Sequence, residues 1–165
     1  GESNLYEYTD EQIRARYRLA PLHYSTGGPT SWDPTMRDNG WLTDIPECEW
    51  ASTANGRCTD GIYPSLTVDF VGVSGQLPPE VGMLTGLSRL SVRSNGAGSS
   101  TLSGSLPSSI GSLTDMVTIR LNDNEIGGTL PTAIGLMTSL RVLLLSGNSI
   151  GGKIPSEIGL IDGNT

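Results

Sequence analysis

An α/β solenoid is the fold this sequence predicts, and three observations predict it. Residues 116–131 read Met116-Val-Thr-Ile119-Arg-Leu121-Asn-Asp-Asn124-Glu-Ile126-Gly-Gly128-Thr-Leu130-Pro131, and residues 140–155 repeat this as Leu140-Arg-Val-Leu143-Leu-Leu145-Ser-Gly-Asn148-Ser-Ile150-Gly-Gly152-Lys-Ile154-Pro155. The period is fixed, because Asn124 to Asn148 is 24 residues and so is Pro131 to Pro155. Each copy also joins an alternating apolar pair (Ile119/Leu121, Leu143/Leu145) to an Asn just beyond it. A fixed period of roughly 20–50 residues outranks any local secondary-structure reading.

Each part of the pattern has a physical task. Apolar side chains at alternate positions are strand spacing, so both members of a pair point inward. The Asn amide can donate to and accept from backbone that turns away from the strand and would otherwise be buried without partners. Gly128 and Gly152 permit a tight backbone. Leu-Pro or Ile-Pro then opens the return segment, where proline fixes φ and no ladder donor is needed. One such coil cannot bury its apolar face alone, whereas stacked coils share a core.

Two copies precede these. Leu87-Ser-Arg-Leu90-Ser-Val92-Arg-Ser-Asn95 resumes at Leu102-Ser-Gly104-Ser-Leu106-Pro107. Pro107 to Pro131 is again 24 residues, but Asn95 to Asn124 is 29, and the excess lies in the Gly/Ser stretch 96–101. The first copy, Leu66-Thr-Val68-Asp-Phe-Val71-Gly-Val73-Ser-Gly75-Gln-Leu77-Pro78, has Val71 where the Asn belongs. A degenerate first repeat is expected beside a cap.

The shared pattern, LxxLxLxxNxLxGxIPxxIGxL, resembles the leucine-rich repeat of the plant-specific subclass over roughly residues 63–161. The resemblance implies a right-handed superhelix with a parallel sheet on its concave side. It also implies a short second strand near each Gly-x-Ile/Leu-Pro. The predicted division is an N-terminal cap, 1–62, and four repeats, 63–165, with no evident cap at the C-terminal end.

The cap is read in chain order. Thr9 and Gln12 resemble a capping box. Ile13, Tyr17 and Ala20 then share a helical face, with Arg14, Arg16 and Arg18 around the rest. Pro21 should kink or end this helix, with Leu22 to Tyr24 as a further turn. Ser25-Thr-Gly-Gly-Pro29 is a break. Trp32, Trp41 and Trp50 follow among turn residues and read as cap core rather than a sugar platform. Cys48 and Cys58 read as a disulfide that restricts the unfolded chain by roughly 3 kcal/mol. Metal ligation lacks two further ligands at suitable spacing, and no C-x-x-C is present. The run Tyr24-Ser-Thr-Gly-Gly to Trp32, Gly40-Trp41-Leu42 and Glu47-Cys48-Glu-Trp50 resembles the helical, disulfide-bonded caps of algal, diatom-like leucine-rich repeat proteins.

Composition bounds the function. Of the net charge of −7, residues 1–62 carry ten acids against five bases, and residues 63–165 carry seven against five. That leaves no basic footprint for nucleic acid and no basic run for an anionic membrane. No apolar run approaches the roughly 20 residues of a membrane helix. After Pro155 no Cys pair, Trp or amphipathic helix closes the stack. Solenoids need polar terminal caps, so the expectations are a longer parent protein, or a partner, another copy included, on that end.

Outward-pointing strand residues should form three columns on the concave face: Ser65, Arg89, Thr118, Val142; Thr67, Ser91, Arg120, Leu144; and Asp69, Arg93, Asn122, Ser146. Adjacent strands lie roughly 5 Å apart, so Arg89, Arg93 and Arg120 make one basic cluster. The candidate ligand site is Arg89, Ser91, Arg93, Thr118, Arg120, Asn122, Leu144 and Ser146. Asn95, Asn124 and Asn148 should form a structural ladder. Arginine forks suit carboxylate, sulfate or phosphate. A solvated face balanced by Asp69 and Asp123 is the competing reading.

Catalysis finds no support. The sole histidine, His23, has no nucleophile and orienting acid placed with it. Glu47 and Glu49 point opposite ways if extended. Asp115, Asp123 and Glu125 lack calcium-loop spacing, and no phosphate-binding GxxxxGK[ST] occurs. No cofactor or metal is implied. The predicted function is therefore a non-enzymatic recognition or adhesion module, secreted or at the cell surface, binding protein, peptide or anionic glycan. The alternative is an assembly subunit that self-associates through its open C-terminal end.

Overall fold

A computed structural model describes residues 17, 20–27, 65–67, 72–93 and 101–161. Within these residues the chain winds four coils. Strand β1 (Ser65–Thr67) opens the first coil, followed by β2 (Gly75–Gln76) and a 3-10 helix η1 (Pro79–Met83). The second coil is β3 (Arg89–Ser91), β4 (Leu102–Ser103) and η2 (Ser108–Ser112). The third is β5 (Thr118–Arg120) and η3 (Thr132–Leu136), and the fourth is β6 (Val142–Leu144) and η4 (Ser156–Leu160).

Two parallel sheets run across the coils. The first has four strands in the order β1-β3-β5-β6, and the second pairs β2 with β4. Single bridges, Ser105 to Gly127 and Thr129 to Gly151, carry the second line through the later coils. This is the short second strand that the repeat pattern implied.

Alternation sets the inside of the stack. Leu90, Ile119 and Leu121 are fully buried from the strands, and Ile110, Ile134 and Met137 from the return segments. Leu121 lies beside the fourth coil, its N–H donating to Leu144 O at 2.9 Å. Thus the coils superpose in matched, like-directed strands, as the 24-residue period requires.

The return segments follow one pattern. In the described coils they are five-residue 3-10 helices, each entered from proline at Pro78, Pro107, Pro131 or Pro155. Two strands and two turns leave too little of the repeat for a full α-helix. The 3-10 segments pack closely at a glycine. A Cβ on Gly82, Gly111 or Gly135 would collide with the carbonyl oxygen of Ser109, Ala133 or Glu157 in the next coil.

Residues 20–27 meet the first coil. Residues 20–25 are helical, so the chain does not leave the helix at Pro21. Leu22 enters the core, and Ser74 N–H donates to Thr26 O at 3.0 Å. The expected turn follows, with Gly27 at φ 77°. Tyr17, expected on the same face as Ala20, is 69% exposed. Cys48, Cys58, the three tryptophans, Asn95 and the Gly/Ser stretch 96–100 lie outside the described residues, and so does the rest of the cap.

Candidate concave-face site

The sheet register brings the predicted columns together. Ser65, Arg89, Thr118 and Val142 are successive partners across the four strands. Thr67, Ser91, Arg120 and Leu144 are successive partners one step along. Asn122 and Ser146 continue the third column, where Asp123 N–H donates to Ser146 O at 2.8 Å. Asp69 lies outside the described residues.

The columns are not equally open. Ser91 and Thr118 are 2% and 6% exposed, so they support the face rather than present it. Arg89 is exposed, while Arg93, Arg120 and Asn122 are half-buried. Leu144 stands directly opposite Arg120 and is 43% exposed. Both Ser91 and Arg93 engage other groups. By contrast, Arg120 Nε and Asn122 Oδ1 are buried atoms without a hydrogen-bond partner. Asn122 Nδ2 donates to Asp123 Oδ2 at 2.6 Å. The open part of the face is therefore Arg89, Leu144 and Ser146, with the half-buried Arg120 and Asn122 between them.

The asparagine ladder fixes the ground beneath this face. Asn124 Oδ1 accepts from Leu102 N–H at 3.0 Å, and its Nδ2 donates to Val92 O at 2.8 Å and Leu121 O at 3.0 Å. Asn148 repeats the arrangement one coil on, accepting from Ile126 N–H at 2.9 Å and donating to Leu121 O at 2.7 Å. Each amide thus ties three segments in two coils.

Sequence reading left two residues out of the site. Val142 is half-buried at the end of the Arg89 column. Asp123 is in the left-handed region at φ 60°, and Gly147, 24 residues on, has φ 69°. That equivalence was visible in the repeat and marks the turn that aims Asn122.

Residues 139–161 match the Leucine Rich Repeat family pattern. Together with the parallel register and the asparagine ladder, this decides the architecture. The fourth coil carries a leucine-rich repeat, and the chain has the solenoid fold of such repeats. Among solved structures, the PEPR1–AtPEP1 complex matches with a TM-score of 0.70 and 26% identity, over 89% of this chain and 20% of that one. The plant peptide hormone receptor RGFR1 in complex with RGF2 matches with a TM-score of 0.54 and 35% identity, over 59% and 15%. The BIR3–SERK2 complex of Arabidopsis thaliana matches with a TM-score of 0.64 and 27% identity, over 88% and 74%. The chain thus spans a fifth or less of the first two of these structures. No curated protein sequence matches it.

The solenoid brings no catalytic set together among the described residues. His23 is buried beside Tyr24, ring centroids 5.4 Å apart, and burial lowers its pKa below the usual 6.5. No group of three or more His, Cys, Asp or Glu among the described residues could hold a metal ion. No described helix is long and apolar enough to cross a membrane.

Proposed function

We propose that this chain is a non-catalytic, extracellular recognition module that holds an extended acidic peptide segment on its concave sheet. The observation that carries the reading is Arg120, whose buried Nε lacks a protein partner while Leu144 lies open beside it. A guanidinium fork suits a carboxylate, and Arg89 on the neighbouring strand adds a second charge. A structural relative being a plant peptide hormone receptor supports the same reading. An anionic glycan offers carboxylate or sulfate to the same forks, but it has no use for Leu144.

Fluorescence anisotropy tests this with two labelled probes, a twelve-residue peptide of alternating Glu and Val (about 40 Å extended) and a sulfated oligosaccharide. The peptide should bind, more weakly as salt screens the charges. Replacing Arg89 and Arg120 together by Gln should weaken binding by about tenfold or more. Unchanged affinity would remove the site, and preference for the oligosaccharide would change the ligand class.

The extracellular setting carries a second test. A Cys48–Cys58 bridge belongs in an oxidising compartment. Mass measurement of native protein should show no free thiol, and two free thiols would move the protein elsewhere.

An assembly role through the C-terminal layer is a second reading. It is favoured by Leu143, Leu145, Ile150, Ile158 and Ile161, which stay only half-buried where their counterparts in earlier coils are closed.

A further inference from the structure

Arg89 lies on β3 and Arg120 on β5, the two inner strands of the four-stranded sheet. Each of these strands has a parallel neighbour on both sides, so the ground between the two arginines is complete within the chain. Arg89 is exposed and Arg120 half-buried, and Arg120 Nε has no hydrogen-bond partner. No cross-strand neighbour of either is an acid. Arg89 stands opposite Ser65 and Thr118, and Arg120 opposite Ser91 and Leu144. The chain as a whole carries a net charge of −7, so these two cations are set apart from its acids on this face.

The register makes them diagonal corners of a square. Arg89 is the partner of Thr118, and Ser91 is the partner of Arg120. Long side chains hold one diagonal, and the short, buried Ser91 and Thr118 hold the other. Strands about 4.8 Å apart, with about 3.3 Å per residue, put the arginine Cα atoms about 8 Å apart. The line joining them runs about 35° from the strand direction.

An extended peptide presents every second side chain on the same face, about 6.6–6.8 Å apart. Adjacent acids point to opposite faces, and so do acids three apart. Acids two apart share a face, at a spacing within about 1.5 Å of the arginine diagonal, a difference that the flexible arginine stems absorb. Acids four apart share a face too, but at about 13 Å they overshoot the diagonal.

We propose that the concave face selects acidic peptides by the spacing of their charges. A segment Asp/Glu-x-Asp/Glu crosses β3 and β5 obliquely, with one carboxylate on Arg89 and the other on Arg120. The middle residue faces away from the sheet, so its identity is open. Ser91 and Thr118 lie beneath the segment, and their shortness lets both carboxylates reach the forks. The proposal rests on the reading of this face as an acidic-peptide site and adds the order of charges that the site demands.

Fluorescence anisotropy tests it with the whole chain and three labelled twelve-residue peptides of one composition. Each carries two Glu in a background of Thr, Ser and Val, either adjacent, two apart or three apart. The peptide with Glu two apart should bind about threefold or more tighter than the others, because each of those leaves one arginine unpaired. Equal affinity for all three overturns the spacing rule and leaves the acidic-peptide reading standing. Binding of the alternating Glu and Val probe alone also overturns the rule, since two carboxylates would not suffice. Binding of no acidic peptide at all overturns both. A peptide with a single phosphoserine that matches the Glu-x-Glu peptide would put both arginines on one anion, and it overturns the two-carboxylate register. Charge exchange then assigns the partners. Arg89→Glu should regain binding when Lys replaces one Glu of the Glu-x-Glu peptide, and Arg120→Glu when Lys replaces the other. Recovery of both variants by the same Lys-bearing peptide overturns the assignment.

Discussion

Asn124 and Asn148 hold the same place in successive coils, but one is buried and the other half-buried. Removing Asn124 strands Leu102 N–H and Val92 O inside the stack, while Leu121 O keeps the Asn148 amide. Each buried group left without a partner costs about 1–3 kcal/mol, so Asn124→Ala should cost ~3–5 kcal/mol. That is a large share of a typical domain's stability of about 5–15 kcal/mol. Asn148→Ala strands similar groups, but water reaches them, and a cost of ~1–2 kcal/mol is expected. Denaturant titration of both variants checks the order, and equal losses would mean the ladder does not depend on burial. His23 carries a second residue-scale prediction. Burial holds its folded pKa below the unfolded value, so its contribution is complete above about pH 6.5 and is lost as pH falls toward the folded pKa. Between pH 7 and pH 5 the wild type should lose more thermal stability than His23→Gln. Equal losses would show that the cap does not depend on an uncharged imidazole.

At the scale of the element, the 3-10 segments are placed by glycine. Gly135→Ala would drive a methyl into Glu157 O and should cost about 1–3 kcal/mol, as overpacking does. Gly159→Ala meets open space in the single copy, so its effect should stay within about 0.5 kcal/mol or be slightly stabilising. Thermal melts at low protein concentration compare them, and a Gly159→Ala loss as large as that of Gly135→Ala would disprove the stacking account. The strands were legible in the sequence because alternation and period together fix their register. A one-residue slip would turn Ile119 and Leu143 outward. The Arg89 and Arg120 columns follow from that register alone. What the pattern could not disclose was how far each outward residue is covered. Ser91 stands between Arg89 and Arg93 on its strand and opposite Arg120 on the next, and it is buried among residues several positions or a whole coil away. For the same reason helical spacing grouped Tyr17 with Ala20, although only docking on a coil decides which face is covered.

Across the whole molecule, stability is distributed along one dimension. In a solenoid each coil is held by its own bonds and by its neighbours, so the energy is close to a sum of local and nearest-neighbour terms. The third coil has a neighbour on each side, and Ile119, Leu121, Ile126, Ile134 and Met137 are all closed to solvent. Among the described residues the fourth has one neighbour, and its counterparts Leu143, Leu145, Ile150, Ile158 and Ile161 remain partly open. Local opening should therefore start at the fourth coil, well below the free energy of global unfolding. Hydrogen exchange read by mass spectrometry, at a concentration that keeps copies apart, should show peptides from 142–161 exchanging faster than those from 116–137. Equal protection of the two segments at low concentration would mean that the stack opens as one unit. The energy holding the last coil would then have to come from somewhere other than its single neighbour.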